Sequence, residues 1–267
     1  MQQETSTQST GSSPNIQNGS CNIGRWSNSS LPLNLKISPD LASDFSVGEY
    51  VGSSSNPINQ MAQVWNDAIT PGSSTALFKL PITLGDDSSR SSLSAFHDSE
   101  MGVYKSHTWF SNVSSSALAI TQFYGIIKSN SSLGTYIDLT HADIILNYLN
   151  FGTEFSYTGN SFIDYDVPTI ILHEMGHFLG LCHENTYDSI MAPYYFSTQR
   201  SLQVFDTNKI KALYENNQNY TVSAISTSRS ALSAPIGTKV KGIVELNANG
   251  HCKHYINGKL VYEHIQQ

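Results

Sequence analysis

Residues 173 to 183 read HEMGHFLGLCH, three histidines and one glutamate inside eleven positions. On a helix, residues i and i+4 stand one above the other, so His173 and His177 can offer two imidazoles to one ion. Glu174, one position along, points to the side where a metal-held water would sit. Gly180 can take the left-handed conformation that ends a helix and turns the chain. His183, six residues past His177, then swings back as a third nitrogen ligand. Three protein ligands and an open position is the catalytic arrangement of zinc, whereas structural sites are closed by a fourth ligand. HExxH alone arises by chance in roughly one chain in a hundred of this length, and the fixed glycine and third histidine lower that by roughly several hundred-fold. The competing readings are a surface helix that happens to carry histidines and a structural zinc site. Adjacent Cys182 is poorly placed as a fourth ligand and reads better as a half-buried small apolar residue. Cys21 could silence the site by taking the open position, although no motif surrounds it.

The rest of the chain limits the classes available. Its 267 residues suffice for one large domain with appendages, and 39% hydrophobic residues suffice for a core. The charged fraction is 13%, against about 25% in ordinary globular proteins. Ser, Thr, Asn and Gln fill the difference, which suits a secreted or cell-envelope protein. Net charge is −7 and no Lys/Arg cluster stands out, so nucleic-acid binding has little electrostatic support. No stretch approaches the roughly 18 apolar residues of a membrane span. Residues 1–23 read as a flexible polar tail with no export signal of their own. A removed signal, or a lipid anchor upstream of such a spacer, is an expectation compatible with this start. Of three cysteines, Cys21 and Cys252 lie near the two ends, where a disulfide could tie them; the other reading is three free thiols.

Strand-like segments come first and helices later. Residues 31–38 (LPLNLKIS) alternate apolar and polar. Asn56-Pro57 opens a helix with an apolar stripe through Ile58, Met61, Ala62, Val64, Trp65, Ala68 and Ile69. Further strands are predicted over 75–80, 117–127 and 135–149, with 85–116 read as loop. Val167-Pro168-Thr169 opens the histidine helix, and a short helix over 207–215 is predicted with Asp206 as its cap. The order indicates an α+β domain over 24–218. Residues 219–267 form a C-terminal extension in which 239–246 and 258–264 could pair as a β-hairpin around Asn257-Gly258.

HEMGHFLGLCH fits the zinc signature of the metzincin metallopeptidases, HExxHxxGxxH, without departure. Ser189-Ile190-Met191 resembles the methionine turn of that clan, and the resemblance implies Met191 as an apolar base beneath the imidazoles. The short interval to Met191, followed by Ala192-Pro193-Tyr194-Tyr195, is similar to the matrixins (matrix metalloproteinase-like enzymes) of bacterial type. There Pro193 and Tyr195 would line the primed-side pocket. Arg25-Trp26, the Val64-Trp65 helix, Ala142-Asp143-Ile144 and 205–214 extend the likeness over roughly 25–216. The implied fold has a mixed, twisted sheet, an N-terminal helix, an active-site helix and a C-terminal helix. The implied function is that of a zinc endopeptidase cleaving protein or peptide substrates through zinc-activated water. Glu174 would be its general base, and His173, His177 and His183 would hold one catalytic zinc per chain. Substrate is expected to lie antiparallel to an edge strand near Ala142 to Asn147.

Three features depart from the matrixin pattern. Glu184 is what astacins carry after the third histidine. The loop that holds structural zinc and calcium in animal matrixins is missing between Leu149 and Asp166, and so is the cysteine-switch propeptide. Calcium is therefore not expected, and the protein is expected to be monomeric. The remaining histidines show no ligand spacing beyond a weak His251-x-x-His254 pair and read mostly as surface residues. Two alternatives stand beside the peptidase: a catalytically silent zinc-containing binding or adhesion protein, and a peptidase held inactive by residues 239–267 over its cleft.

Overall fold

The computed structural model describes residues 24–45, 52–69, 76–88, 90–131, 133–158, 165–184, 188–215 and 234–265. The polar tail 1–23 and the Ser/Thr-rich stretch 216–233 lie outside them. In chain order the strands are β1 (Gly24–Arg25), β2 (Leu35–Ile37), β3 (Thr83–Leu84), β4 (Met101–Ser106), β5 (Ala117–Asn130), β6 (Gly134–Asn147), β7 (Phe155–Ser156), β8 (Tyr165–Asp166), β9 (Lys239–Asn247), β10 (His251–Ile256) and β11 (Lys259–Ile265). The helices are α1 (Pro39–Ala42), α2 (Pro57–Asp67), α3 (Tyr148–Phe151), α4 (Val167–Phe178) and α5 (Val204–Tyr214). One sheet takes the order β11-β10-β9-β5-β6-β4-β2-β3, with β1 beside β6. It is mixed: β5–β6 and β5–β9 are antiparallel, whereas β6–β4 and β4–β2 are parallel. This is the α+β architecture expected from the sequence.

The sheet is covered on both faces, which explains the near-continuous apolar run of β6. Ala142, Ile144 and Leu146 face the main core with α2 and α4. Ile145, one residue out of phase, meets Phe96, Tyr104, Phe110 and Val113 on the other face. Asn56 caps α2 by accepting from Ile58 N at 2.9 Å and Asn59 N at 3.2 Å. The buried Trp65 of α2 donates its indole N–H to Leu172 O at 3.0 Å, fixing this helix against α4.

Several local expectations change. Of residues 31–38 only Leu35–Ile37 form a strand, with Leu33 in a single bridge to Phe78. Of the strand predicted over 75–80, the described part, 76–80, holds only that bridge, and pairing is taken up instead by β3. The 85–116 segment contains β4, whose six residues are too few to show a period but are paired on both sides. Gln203, not Asp206, is the N-cap of α5, and Asp206 closes the capping box from the third position. Ala142 to Asn147 is no edge: β6 runs between β5 and β4. Asn257-Gly258 does turn a hairpin, with positive φ of 50° and 74°, but it joins β10 to β11 while β9 adds to β5. Cys252 is a buried free thiol, so it does not pair with Cys21, and Cys182 is disulfide-bonded, not a lone apolar residue.

Candidate metal centre and active site

The twelve residues of α4 are all buried, so the helix that carries the motif is a core element. Asp166 caps its start, accepting from Thr169 N at 3.0 Å. Its C-terminal carbonyls, which no helical N–H reaches, are satisfied from outside. Trp26 Nε1 donates to Phe178 O at 2.7 Å and the Tyr214 hydroxyl to Leu179 O at 2.7 Å. Gly180 then turns the chain at φ +97°, pressed so closely on the Gly24 backbone that a β-carbon there would collide with it. That turn returns His183 to the two helical histidines, as its spacing suggested.

The three Nε2 atoms converge, 3.0 Å apart for His173–His177, 3.0 Å for His177–His183 and 3.2 Å for His173–His183. Tetrahedral nitrogens about 2.0–2.1 Å from a zinc ion lie roughly 3.3 Å from one another, so the triad fits that ion. The outer nitrogens settle the tautomers. His173 Nδ1 lies 2.6 Å from Ile190 O, and His177 Nδ1 lies 2.8 Å from Leu181 O. A carbonyl only accepts, so both Nδ1 atoms carry the proton and both Nε2 lone pairs point inward. Neutral lone pairs gathered at this distance repel one another, and a cation resolves the repulsion. Burial holds the imidazoles neutral, moving His173 down to about 4 and His177 and His183 well below the usual histidine value.

Glu174 is fully buried. Its Oε2 accepts from the Thr121 hydroxyl of β5 at 2.5 Å, while Oε1 is buried with no hydrogen-bond partner. Desolvation raises this carboxyl to about 8, against the opposing pull of Thr121. Met191 is also buried, and its sulfur packs against Gly176 of α4 with no room for a β-carbon between. Asp206 of α5 secures the turn before it, accepting from the Ser189 hydroxyl and from Ile190 N at 3.2 Å. Tyr195 accepts from Asp166 N at 3.0 Å and, with His173, Ile190 and Ala192, lines a small cavity next to the triad. Pro193 turns its carbonyl to the Cys252 thiol. The structure thus brings the three histidines together, with Tyr195 at a cavity that His173 also lines; Glu174 lies on the same helix, Met191 packs on that helix at Gly176, and Pro193 meets Cys252.

Sequence reasoning missed two residues. Thr121 contacts the glutamate from another element, and no local pattern marks it. His254 is buried and its Nε2 lies 2.7 Å from His183 Nδ1, supplying the third imidazole with the outer partner that Ile190 and Leu181 give the other two. The signal available was the alternation of β10, in which Cys252 and His254 point to the same side. His141 is likewise buried against Asp143, not a surface residue.

A family profile, that of the matrixins, matches residues 95–215. Metalloendoproteinase 4-MMP of Arabidopsis thaliana is 28% identical over 78 residues, a match covering 28% of this chain and 23% of that relative. The chain therefore spans only a small part of the curated relative it matches. Profile, relative and sheet architecture agree with the converging triad on one conclusion: this chain carries a matrixin-like metzincin domain.

Proposed function

We propose that the protein is a zinc-dependent endopeptidase acting on protein or peptide substrates as a monomer, with one zinc held by His173, His177 and His183. The observation that carries this reading is the converging triad, joined by the buried, unpartnered Oε1 of Glu174, the residue after His173 on the same helix. A silent zinc scaffold has no need of a desolvated carboxylate there. Zinc, when bound, acidifies a water and polarises the scissile carbonyl. Thr121 holds Oε2 and so fixes the carboxylate plane, leaving Oε1 to take the proton of the attacking water and return it to the departing amine. Pro193 and Tyr195 border the primed side and Met191 supports the imidazoles from below. The bonded Cys182 supports an oxidising location, secreted or on the cell envelope, which fractionation of the producing cells checks.

The test is a comparison at matched zinc content. Glu174→Gln keeps the size of the side chain but cannot accept a proton, so turnover of a peptide substrate should fall by about 10²–10⁴-fold with zinc retained. His177→Ala should lose metal and activity together. Wild-type turnover in Glu174→Gln would remove the glutamate from the mechanism.

A further inference from the structure

Among the described residues, the side chains of the triad are closed in. His173, His177 and His183 are 2%, 3% and 8% exposed. Two cavities that touch the triad, one at His177 and one at His173, measure about 20 Å³ each. Against the triad lie β9 and β10: Leu246 borders the cavity at His173, Val244 the cavity at His177, and His254 touches His183. β9 pairs antiparallel with β5, the strand whose Thr121 holds Glu174, from Lys239 opposite Ile126 to Asn247 opposite Ala117. On its other flank Asn247 makes a parallel bridge to Tyr194, in the segment after the methionine turn. β9 thus runs antiparallel between β5 and β10, and its last residue meets the segment after the methionine turn, so it occupies the side of β5 to which an extended peptide would add on its way to the triad. Leu246 borders the cavity lined by His173, Ala192 and Tyr195.

The seat is specific. The fully buried Glu245 accepts from Ser114 N at 2.9 Å and from Asn247 Nδ2 at 3.0 Å. Asn247 Oδ1 accepts from the Ser116 hydroxyl at 2.8 Å, and Ala248 N donates to Ser116 O at 2.9 Å. Cys252 reaches Pro193 O and His254 reaches His183.

From this geometry we propose that β9 is an intramolecular stand-in for substrate, and that the full chain is latent until residues 239–254 are displaced. The proposal rests on the peptidase reading above and names the regulation of the same site. Its occupant is covalently attached, so a competing peptide binds only in the fraction of molecules whose strand has lifted, and its apparent affinity falls by that fraction.

The experiment uses the zinc-loaded full chain and, as probe, a leucine-containing peptide hydroxamate, alongside hydrolysis of a leucine-containing peptide. In Val244→Pro/Leu246→Asp a proline breaks a strand paired on both flanks and a charge replaces the apolar residue at the cavity. This variant should bind the hydroxamate at least tenfold tighter than wild type and hydrolyse the peptide faster. A second variant, Tyr124→Cys/Lys241→Cys, bridges residues directly opposed across β5 and β9, a separation that a disulfide spans. Oxidised, it should bind at least tenfold more weakly than when reduced. If oxidation of the staple leaves binding unchanged, or if wild type binds as tightly as a folded release variant, the strand does not occupy the cleft and the proposal is overturned. Tight binding without hydrolysis in the release variant would support the seat and sink the peptidase reading instead.

Discussion

Glu184, the departure from the matrixin pattern next to the third histidine, turns out to be a packing residue. It is buried, its N–H donates to Met191 O at 2.8 Å, and its carboxylate pairs with the buried Lys209 ammonium of α5. Removing one partner of a buried pair strands the other charge, a loss of about 3–5 kcal/mol. Glu184→Gln should therefore lower stability in denaturant unfolding by an amount of that order, while Glu184→Leu combined with Lys209→Met recovers much of it. A single variant as stable as wild type would mean that Lys209 finds water. At this scale the motif residues were legible because their geometry is set within one helix and one turn. Thr121, Lys209 and His254 were not, since each meets the site across 25 or more positions of sequence.

Among elements, α5 acts on the triad through a chain of contacts. Asp206 binds Ser189 and Ile190, and Ile190 O receives the proton of His173 Nδ1. Asp206 also accepts from Gln203 N at 2.9 Å, so one carboxylate closes the helix start and the methionine turn together. Asp206→Ala leaves buried donors unpaired and should cost about 1–3 kcal/mol. Because it loosens the outer partner of a ligand, zinc affinity should also fall about 10–100-fold, measured by chelator competition. Stability loss with unchanged affinity would confine Asp206 to capping. The long elements were readable: α2 and α4 carry cap signals, and β5 and β6 carry apolar runs. β2, β3 and β4 are six residues or fewer, and pairing within the sheet, not local preference, makes them strands. The edge position given to 142–147 was carried over with the family resemblance, and nothing in the residues themselves could check it. A strand buried on both faces shows no alternation that tells edge from centre.

For the molecule as a whole, the metal site joins α4 to the turn after it, and the Asp206 and His254 contacts extend that connection to α5 and β10. A ligand that binds only the folded form stabilises it by an amount set by its concentration over Kd, about 4 kcal/mol at a thousandfold excess. Chelation should thus lower the thermal midpoint of the full chain by several degrees, and added zinc should restore it. An unchanged midpoint would show that the three imidazoles hold no ion tightly.

The position of β9 bears also on how these molecules behave toward one another. With β9 in place, the terminal strands of the sheet are β3, of two residues, and the seven-residue β11, which carries Lys259, Glu263 and His264. Short or charged borders resist pairing with a neighbouring chain. Lifting β9 would bare one side of β5, a fourteen-residue strand, as a row of unpaired amides and carbonyls. Opened copies would then be self-adhesive, and crowding them together would favour aggregation in proportion to how many had opened.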